Sequence, residues 1–200
     1  MRNSIAAGFA PWIVFWVVSS PSTWQWASLV ALVISIGLVV PSLRKHEGVS
    51  ALDVAGLVFF AVLSVLALVV ERSALETLEN YAQAISMGLL AVVAIGGVLI
   101  GRPFTAYYAR REVPRELWGT REFRRINRVI SLVWGAAFVV VAVAGFVAVR
   151  WSVAVDVLEW VVPAVVIVAA AKFTQAYTGH DDGPPASHDT AAGTTSGRAS

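Results

Sequence analysis

The chain has 200 residues, of which 58% are hydrophobic and 14% charged, and its mean hydropathy is +0.72. A soluble domain usually carries about 25% charged residues, so this composition excludes a water-soluble globule and indicates an integral membrane protein. The net charge is only +2, and the absence of cysteine excludes disulfides, thiolate catalysis and cysteine-ligated metals.

The first apolar run, residues 5–19, follows Arg2 and is slightly shorter than the roughly 20 residues of a membrane span. Two tryptophans inside the run, the lack of an A-x-A cleavage pattern and Pro21 just after it favour a retained span over a cleaved signal peptide. Pro11 is expected to kink this helix or to help cap it. Cleavage is the alternative, and it would leave five spans instead of six.

Five further apolar runs are long enough to cross a membrane, which predicts an all-α polytopic protein with six transmembrane helices. They are residues 24–40, 52–70, 82–100, 129–149 and 153–173. Trp24 and Trp26 open the second run at a typical interfacial position, and Pro41 is expected to end it. Residues 1–177 are predicted to form a single transmembrane domain, and the polar residues 178–200 a disordered cytoplasmic tail.

The most unusual stretch, residues 102–128, separates the fourth span from the fifth and reads RPFTAYYARREVPRELWGTREFRRINR. It holds eight of the 15 basic residues and only three acids, which leaves a local charge of +5. The basic residues are Arg102, Arg110, Arg111, Arg115, Arg121, Arg124, Arg125 and Arg128.

Basic residues concentrate on one side of the predicted six-span topology. Besides the eight arginines, that side holds Arg2, Arg44, Lys45, Lys172 and Arg198. Only Arg72 and Arg150 lie on the opposite side, together with a glutamate-rich loop at residues 71–81. Because basic residues of short loops stay in the cytoplasm, both termini and the basic segment are expected on the cytoplasmic side of a bacterial inner membrane.

The basic segment also carries an aromatic pattern at helical spacing, formed by Phe104, Tyr107, Tyr108 and Arg111. This pattern predicts a short amphipathic cytoplasmic helix between spans four and five, with its rings in the headgroup zone and its guanidinium groups toward phosphates. Pro103 suits the first position of that helix, and Pro114 is expected to end it. Thr120 is the predicted N-cap of a helix that continues into span five.

We interpret this segment as a binding surface for anionic lipid headgroups or for other inner-membrane proteins. Each basic residue near an anionic leaflet contributes up to about 1 kcal/mol, so a charge of +5 could contribute about 5 kcal/mol. The alternative is that the arginines only fix the topology, and nucleic-acid binding is not expected because the segment is held against the bilayer. The candidate residues are Arg102, Phe104, Tyr107, Tyr108, Arg110, Arg111, Trp118, Arg124, Arg125 and Asn127.

A second candidate site lies in the sixth span, where Asp156 and Glu159 share one helix face. Deep in the membrane these acids would suit a transporter or channel for protons or cations. Near the outer end of the span, an interfacial position or a pairing with Arg150 is the alternative. In span four, residues 97–101 form a GxxxG pattern that Ala91 and Ala94 extend upstream, and packing against the alanine-rich fifth span is favoured over dimerisation.

The sequence lacks the phosphate-binding, serine-hydrolase and zinc-protease motifs GxxxxGK[ST], GxSxG and HExxH, and no predicted span contains histidine. An enzyme and a bound cofactor are therefore not expected. The tail residues His180, Asp181 and His188 have the chemistry of metal ligands but lack a rigid spacing, so no metal site is predicted. The oligomeric state is left open.

The layout of these features resembles the bacterial intracellular septation protein A family of inner-membrane proteins. The resemblance extends over residues 5–175 and includes APWIVFW in the first run and PSLRKHEG after the second. Its more specific residues are Pro103, Asn127 and Phe123, the last standing where the family usually has Trp. It also includes the pairs Gly101-Arg102, Val113-Pro114 and Ile126-Asn127.

This chain departs from the family pattern by a longer basic segment, by Trp134 one turn later than the family's aromatic residue, and by the added tail. The resemblance implies a role in envelope maintenance and cell division through contacts with other membrane proteins. It supplies no catalytic residue.

Overall fold

The computed structural model describes residues 5–18, 23–44, 48–70, 72–151 and 154–179. Within these ranges every regular element is a helix. A 3₁₀ turn at Arg115–Leu117 lies between α5 and α6, and a π-helical turn at Val157–Val161 precedes α7. The α-helices are α1 (Ile5–Val18), α2 (Trp24–Arg44), α3 (Ala51–Val69), α4 (Arg72–Leu99), α5 (Phe104–Ala109), α6 (Arg121–Trp151) and α7 (Val162–Gly179).

Five apolar helices in the described part of the chain are long enough to cross a membrane. They cover Trp24–Arg44, Ala51–Val69, Thr77–Leu99, Arg121–Trp151 and Val157–Gly179. The remaining apolar helix, α1, has 14 residues and is therefore about 21 Å long, shorter than the roughly 30 Å of a hydrocarbon core. The structure thus supports a multi-pass, all-α protein with five candidate spans, and α1 as a sixth span stays a prediction.

Several helix ends differ from the sequence-based expectation. Helix α2 continues one turn beyond Pro41 to Arg44, and in that turn the hydroxyl of Ser42 donates to the carbonyl of Leu38 at 3.0 Å. Helix α4 begins at Arg72, so most of the predicted outer loop forms the first turns of α4. The predicted disordered tail and its candidate metal ligands lie outside the described residues, except that α7 extends to Gly179.

Aromatic side chains join α1 to α3. Trp12 is 0% and Phe15 1% exposed, which makes them two of the most deeply buried large side chains. The Trp12 ring stacks on Phe59 with centroids 5.3 Å apart and lies 5.1 Å from Phe60. Phe15 also contacts Phe60, at 5.4 Å. Such ring pairs contribute about 0.5–1.5 kcal/mol each beyond the area that they bury.

The other faces of α1 contact α4 and α6. The ring of Phe9 lies 5.9 Å from Trp134 and 6.0 Å from Phe138, both on α6. The indole N–H of Trp16 donates to the hydroxyl of Ser86 on α4 at 3.2 Å. Helix α1 therefore packs mainly on α2 and α3 and links them to α4 and α6 through these side chains, while Ile13, Val17 and Val18 are exposed.

Small residues bring α4 and α6 close together. A Cβ added at Gly135 would lie 2.6 Å from Ile95 and 3.4 Å from Ala94, so no larger side chain fits there. Near the opposite end of the pair, Gly145 faces Ala84, with 3.6 Å between the Cβ positions. These two contacts fix an antiparallel register, in which residues of α4 and α6 at the same level have numbers that add to about 229.

The burial of Trp12 against α3 predicts that Trp12→Ala destabilises the protein more than Trp26→Ala. The first change leaves a cavity among the rings of α3 and should cost about 3 kcal/mol, whereas Trp26 is 69% exposed. Thermal melting of the detergent-solubilised variants measures the difference. Equal melting temperatures for the two variants would contradict this packing of α1.

Candidate functional site

The arginine-rich segment begins at a tightly defined end of α4. The N–H of Arg102 donates to the carbonyl of Gly97 at 2.7 Å, and that of Gly101 donates to Val98 at 3.0 Å. With its φ of +74°, Gly101 completes a Schellman motif, in which glycine is favoured. A Cβ at Gly97 would lie 2.8 Å from the Arg102 carbonyl oxygen.

The two glycines of the GxxxG pattern are thus explained by this helix end, because Gly97 and Gly101 are the C3 and C′ residues of the Schellman motif. The expected packing of span four against the alanine-rich span five is found, since α4 packs against α6 through Ala94, in the upstream extension of the pattern, and through Ala84.

Most rings of α5 point into the bundle. Phe104 is 3% and Tyr108 5% exposed, and Phe104 makes an edge contact with Phe9 at 6.4 Å. Tyr107, in contrast, is only partly buried. The prediction that this aromatic face lies in the headgroup zone is therefore wrong for Phe104 and Tyr108. Helical spacing shows that the rings share a face, but it does not show which way that face points.

A buried polar contact fixes Tyr108 against α1 and α3. The Tyr108 and Ser50 hydroxyls lie 2.9 Å apart, and the oxygen of Ser50 accepts the backbone N–H of Asp53 at 3.0 Å as the N-cap of α3. A Cβ at Gly8 would overlap the Tyr108 hydroxyl. Burial, and then the nearby Asp53 carboxylate, raise the pKa of the Tyr108 phenol, so it stays protonated and available as a donor.

The other side of α5 is bonded to α6. The Thr105 hydroxyl lies 3.0 Å from the carbonyl oxygen of Asn127, to which it donates, and 2.9 Å from the hydroxyl of Ser131. The side-chain amide of Asn127 donates to the carbonyl of Phe123 at 2.8 Å and is 3% exposed. Asn127 is therefore an internal structural residue, and its predicted role in contacting lipid or a partner is wrong.

Tyr107 and Arg111 form the exposed edge of α5. The Tyr107 hydroxyl donates to the carbonyl of Gly48 at 2.9 Å, which ties α5 to the residues before α3. The guanidinium of Arg111 donates to the same hydroxyl at 2.6 Å and lies 4.6 Å from the ring centroid. This contact gives an exposed arginine a defined position.

Two further arginines lie beside the ring of Trp118. The guanidinium of Arg110 lies 5.5 Å from the Trp118 ring centroid, and that of Arg115 lies 5.6 Å from it. The indole N–H of Trp118 donates to the carbonyl of Val113 at 3.1 Å, which holds the ring against its own loop. Two like charges therefore lie near one aromatic ring at the protein surface.

The first two turns of α6 carry four exposed arginines on one side. Thr120 caps this helix as predicted, because its hydroxyl oxygen accepts the N–H of Phe123 at 3.1 Å. Phe123 and Asn127 point into the bundle, so the opposite side faces outward. The four arginines follow i, i+3, i+4, i+7 spacing, and we call them the arginine face: Arg121, Arg124, Arg125 and Arg128.

The structure thus divides the candidate residues into two groups. Phe104, Tyr108 and Asn127 are buried and hold the segment onto the bundle. The remaining candidates reach the surface wholly or in part and carry most of the local positive charge: Arg102, Tyr107, Arg110, Arg111, Trp118, Arg124 and Arg125.

The acids of the sixth span lie in an irregular stretch of helix. Glu159 is part of the π-helical turn, and Ala154, just before this stretch, has a φ of +46°. Asp156 is exposed and Glu159 half-buried. Gln83 on α4 donates to the backbone carbonyl of Glu159 at 3.5 Å. Among the described residues, the Arg150 guanidinium contacts the Trp151 ring at 5.8 Å and forms no ion pair with either acid.

The packing of α6 against the last span indicates the height of Glu159. The indole N–H of Trp134 donates to the Thr174 hydroxyl at 3.1 Å, so residues of these antiparallel helices at one level have numbers that add to about 308. By this register Glu159 lies level with Val149, the last residue of the apolar run of α6, whereas its contact with Gln83, which is level with Phe146, places it about one turn deeper. That run starts at Val129 and is about 30 Å long, so Glu159 lies about 10–15 Å from its midpoint.

Sequence reasoning missed two features of this region. The contacts of Tyr108 with Gly8 and Ser50 join residues far apart in the chain, and no local pattern signals them. The arginine face was readable, because four arginines at helical spacing precede an apolar run. Arg121 and Arg128 nevertheless were not among the candidate residues.

No known protein family, curated protein or solved structure matches this chain. The resemblance to the septation family therefore stays a prediction from the layout of the sequence.

The close contact at Gly8 predicts that Gly8→Ala destabilises the protein by about 1–3 kcal/mol, because the new methyl group would overlap the Tyr108 hydroxyl. The matched control is Gly37→Ala, since no atom lies within 4 Å of a Cβ at Gly37. Adding Tyr108→Phe to Gly8→Ala should restore part of the lost stability. Thermal melting of the original protein, Gly8→Ala, Gly37→Ala and the double variant measures these differences in stability. Equal melting temperatures for Gly8→Ala and Gly37→Ala would contradict the contact.

Proposed function

We propose that this protein is a non-enzymatic multi-pass protein of the bacterial inner membrane whose arginine face binds anionic phospholipid headgroups. In this proposal α1 is a retained sixth span and both termini face the cytoplasm. The observation that carries it is the arginine face itself, an exposed row of four guanidinium groups at the end of a membrane-spanning helix whose opposite side is buried.

The location of the arginine face at a helix N-terminus favours binding of anions. Positive side chains in the first turns oppose the helix dipole, at a cost of about 0.3–1 kcal/mol each. Glu122 is the single acid in the first turn of α6 to offset it. The helix dipole and the guanidinium groups together attract anions. Because the apolar part of α6 begins directly after the arginine face, these guanidinium groups would lie at the level of the lipid headgroups.

The neighbouring arginines extend this surface. Arg110 and Arg115 lie beside Trp118, and Arg111 is bonded to Tyr107, so three guanidinium groups are partly ordered before any lipid arrives. Ordering in advance lowers the entropy that binding must remove. Exposed arginines without such contacts would fix topology equally well, so the contacts favour binding over a purely topological role.

The resemblance to the septation family extends the proposal to a role in envelope maintenance or division. Such a role would require the lipid-bound segment to work near other inner-membrane proteins. An acidic protein partner is the alternative ligand for the arginine face. A topological role alone is the simplest competing explanation.

A transporter or channel that uses Asp156 and Glu159 is the second candidate function. The observation that favours it is the π-helical turn around Glu159, because such turns are frequent at functional sites. The height of Glu159, about 10–15 Å from the midpoint of the apolar run of α6, favours a position near the interface instead.

Substituting the arginine face tests the proposal. Replacing Arg121, Arg124, Arg125 and Arg128 by Gln removes up to about 1 kcal/mol per charge of attraction to an anionic leaflet. In phosphatidylcholine bilayers, the preference for spin-labelled phosphatidylglycerol over spin-labelled phosphatidylcholine should fall, and high salt should weaken it in the original protein.

The control for this experiment changes the sign of the effect. Replacing Glu112, Glu116 and Glu122 by Gln should raise the preference for phosphatidylglycerol. The topology of each variant is checked by the accessibility of a terminal tag. A preference that is unchanged by loss of the four arginines would reduce their role to topology.

The transporter alternative predicts a different result for Glu159→Cys, which is clean to label because the chain has no other cysteine. An interfacial residue should react with a membrane-impermeant maleimide from the outer side only. Ser86→Cys, at a fully buried position, is the unreactive control. Labelling of position 159 from both sides would favour the transporter.

A further inference from the structure

An apolar groove opens between α4 and α6 at the end of the bundle opposite the arginine face. Its volume is about 720 Å³, within the usual range of small-ligand sites. Tyr81 and Phe146 contact each other with ring centroids 5.7 Å apart, and Ala84 and Ala142 leave space beside them. Ile85 and Val143 also line the groove.

The groove runs along the axes of α4 and α6, on the outer surface of the bundle. By the register of α4 and α6, its lining extends from Thr77, level with the end of α6, to Ile85 about 12 Å deeper and Ala142 about 15 Å deeper. Phe146 and Val143 are exposed, so the groove is open on the side that faces hydrocarbon in a membrane. An acyl chain of a phospholipid would enter it lengthwise.

A cation marks the mouth of the groove. Arg150 lies one turn after Phe146 on the same face of α6, is exposed, and is followed by Trp151, a residue type typical of the membrane interface. It is therefore at the level where the phosphate of a lipid would lie if an acyl chain filled the groove. Glu79, level with Arg150 on α4, opposes an anionic headgroup, so Arg150 must outweigh it.

We infer that this groove binds one acyl chain of an anionic phospholipid in the leaflet on the Arg150 side, with Arg150 contacting the lipid phosphate. The complementary charge at the mouth and the apolar lining below it match the two parts of such a lipid. This site is independent of the proposed function, since the arginine face lies at the opposite end of α6.

Native mass spectrometry of the detergent-solubilised full chain tests this site by titration with phosphatidylglycerol and phosphatidylcholine. The arginine face is first changed to Gln in all samples, so that it cannot contribute. Ala142→Phe fills the groove and should weaken binding of phosphatidylglycerol about tenfold, because two or three methylenes lose their contacts. The matched control is Val140→Phe, at an exposed position of α6 that does not line the groove.

Arg150→Gln should weaken binding of phosphatidylglycerol about fivefold. Binding of phosphatidylcholine should fall less, because its choline charge offsets the charge of its phosphate, so the preference for phosphatidylglycerol falls. Glu79→Gln should raise that preference. Ile85→Trp is a second groove-filling change, used in case Ala142→Phe fails to fold. The melting temperature of each variant shows whether it is folded.

Two outcomes would overturn the inference. One is unchanged lipid binding in both groove-filling variants. The other is efficient disulfide formation between two copies carrying Val143→Cys in native membranes, because this would show a second protein chain in the groove.

Discussion

Aromatic contacts of α1 hold the two parts of this bundle together. Trp12 packs on the rings of α3, while Phe9 reaches α6 and Trp16 bonds to α4. Helix α1 is too short to reach across a hydrocarbon core unaided, but it contributes two of the most buried large side chains of the molecule. Loss of α1 would expose rings on α3 and α6 at once, so the helix behaves as part of the core. This packing supports the proposal that the first apolar run is a retained span.

The arginine-rich segment gains its shape from the same core. Tyr108 is fixed between α1 and α3, and Thr105 is bonded to α6, so α5 is held on two sides. The buried residues of the segment provide the attachment, and the arginines remain outside. A charged surface that is anchored in this way keeps its guanidinium groups at a constant height relative to the membrane, which suits recognition of headgroups better than a free loop would.

Local patterns in the sequence predicted the helices well, because an apolar run of about 20 residues has few alternatives to a helix in a membrane. The Thr120 cap was also predictable, since capping depends on neighbours in sequence. The direction in which the α5 rings point was not, because it depends on Gly8 and Ser50, which lie 100 and 58 residues from Tyr108. The GxxxG pattern correctly predicted the packing of α4 against α6, but it did not show that its two glycines also end α4.

The proposed function requires that the arginine face touch lipid phosphates in the cell. A photo-crosslinking amino acid introduced at Arg125, on the arginine face, and separately at the buried Phe123 tests this contact in intact membranes. Mass spectrometry then identifies the adducts. We expect anionic phospholipid adducts from position 125 and adducts within the protein itself from position 123. Capture of an acidic protein at position 125 without phospholipid, or equal phospholipid capture at both positions, would contradict the proposed lipid contact.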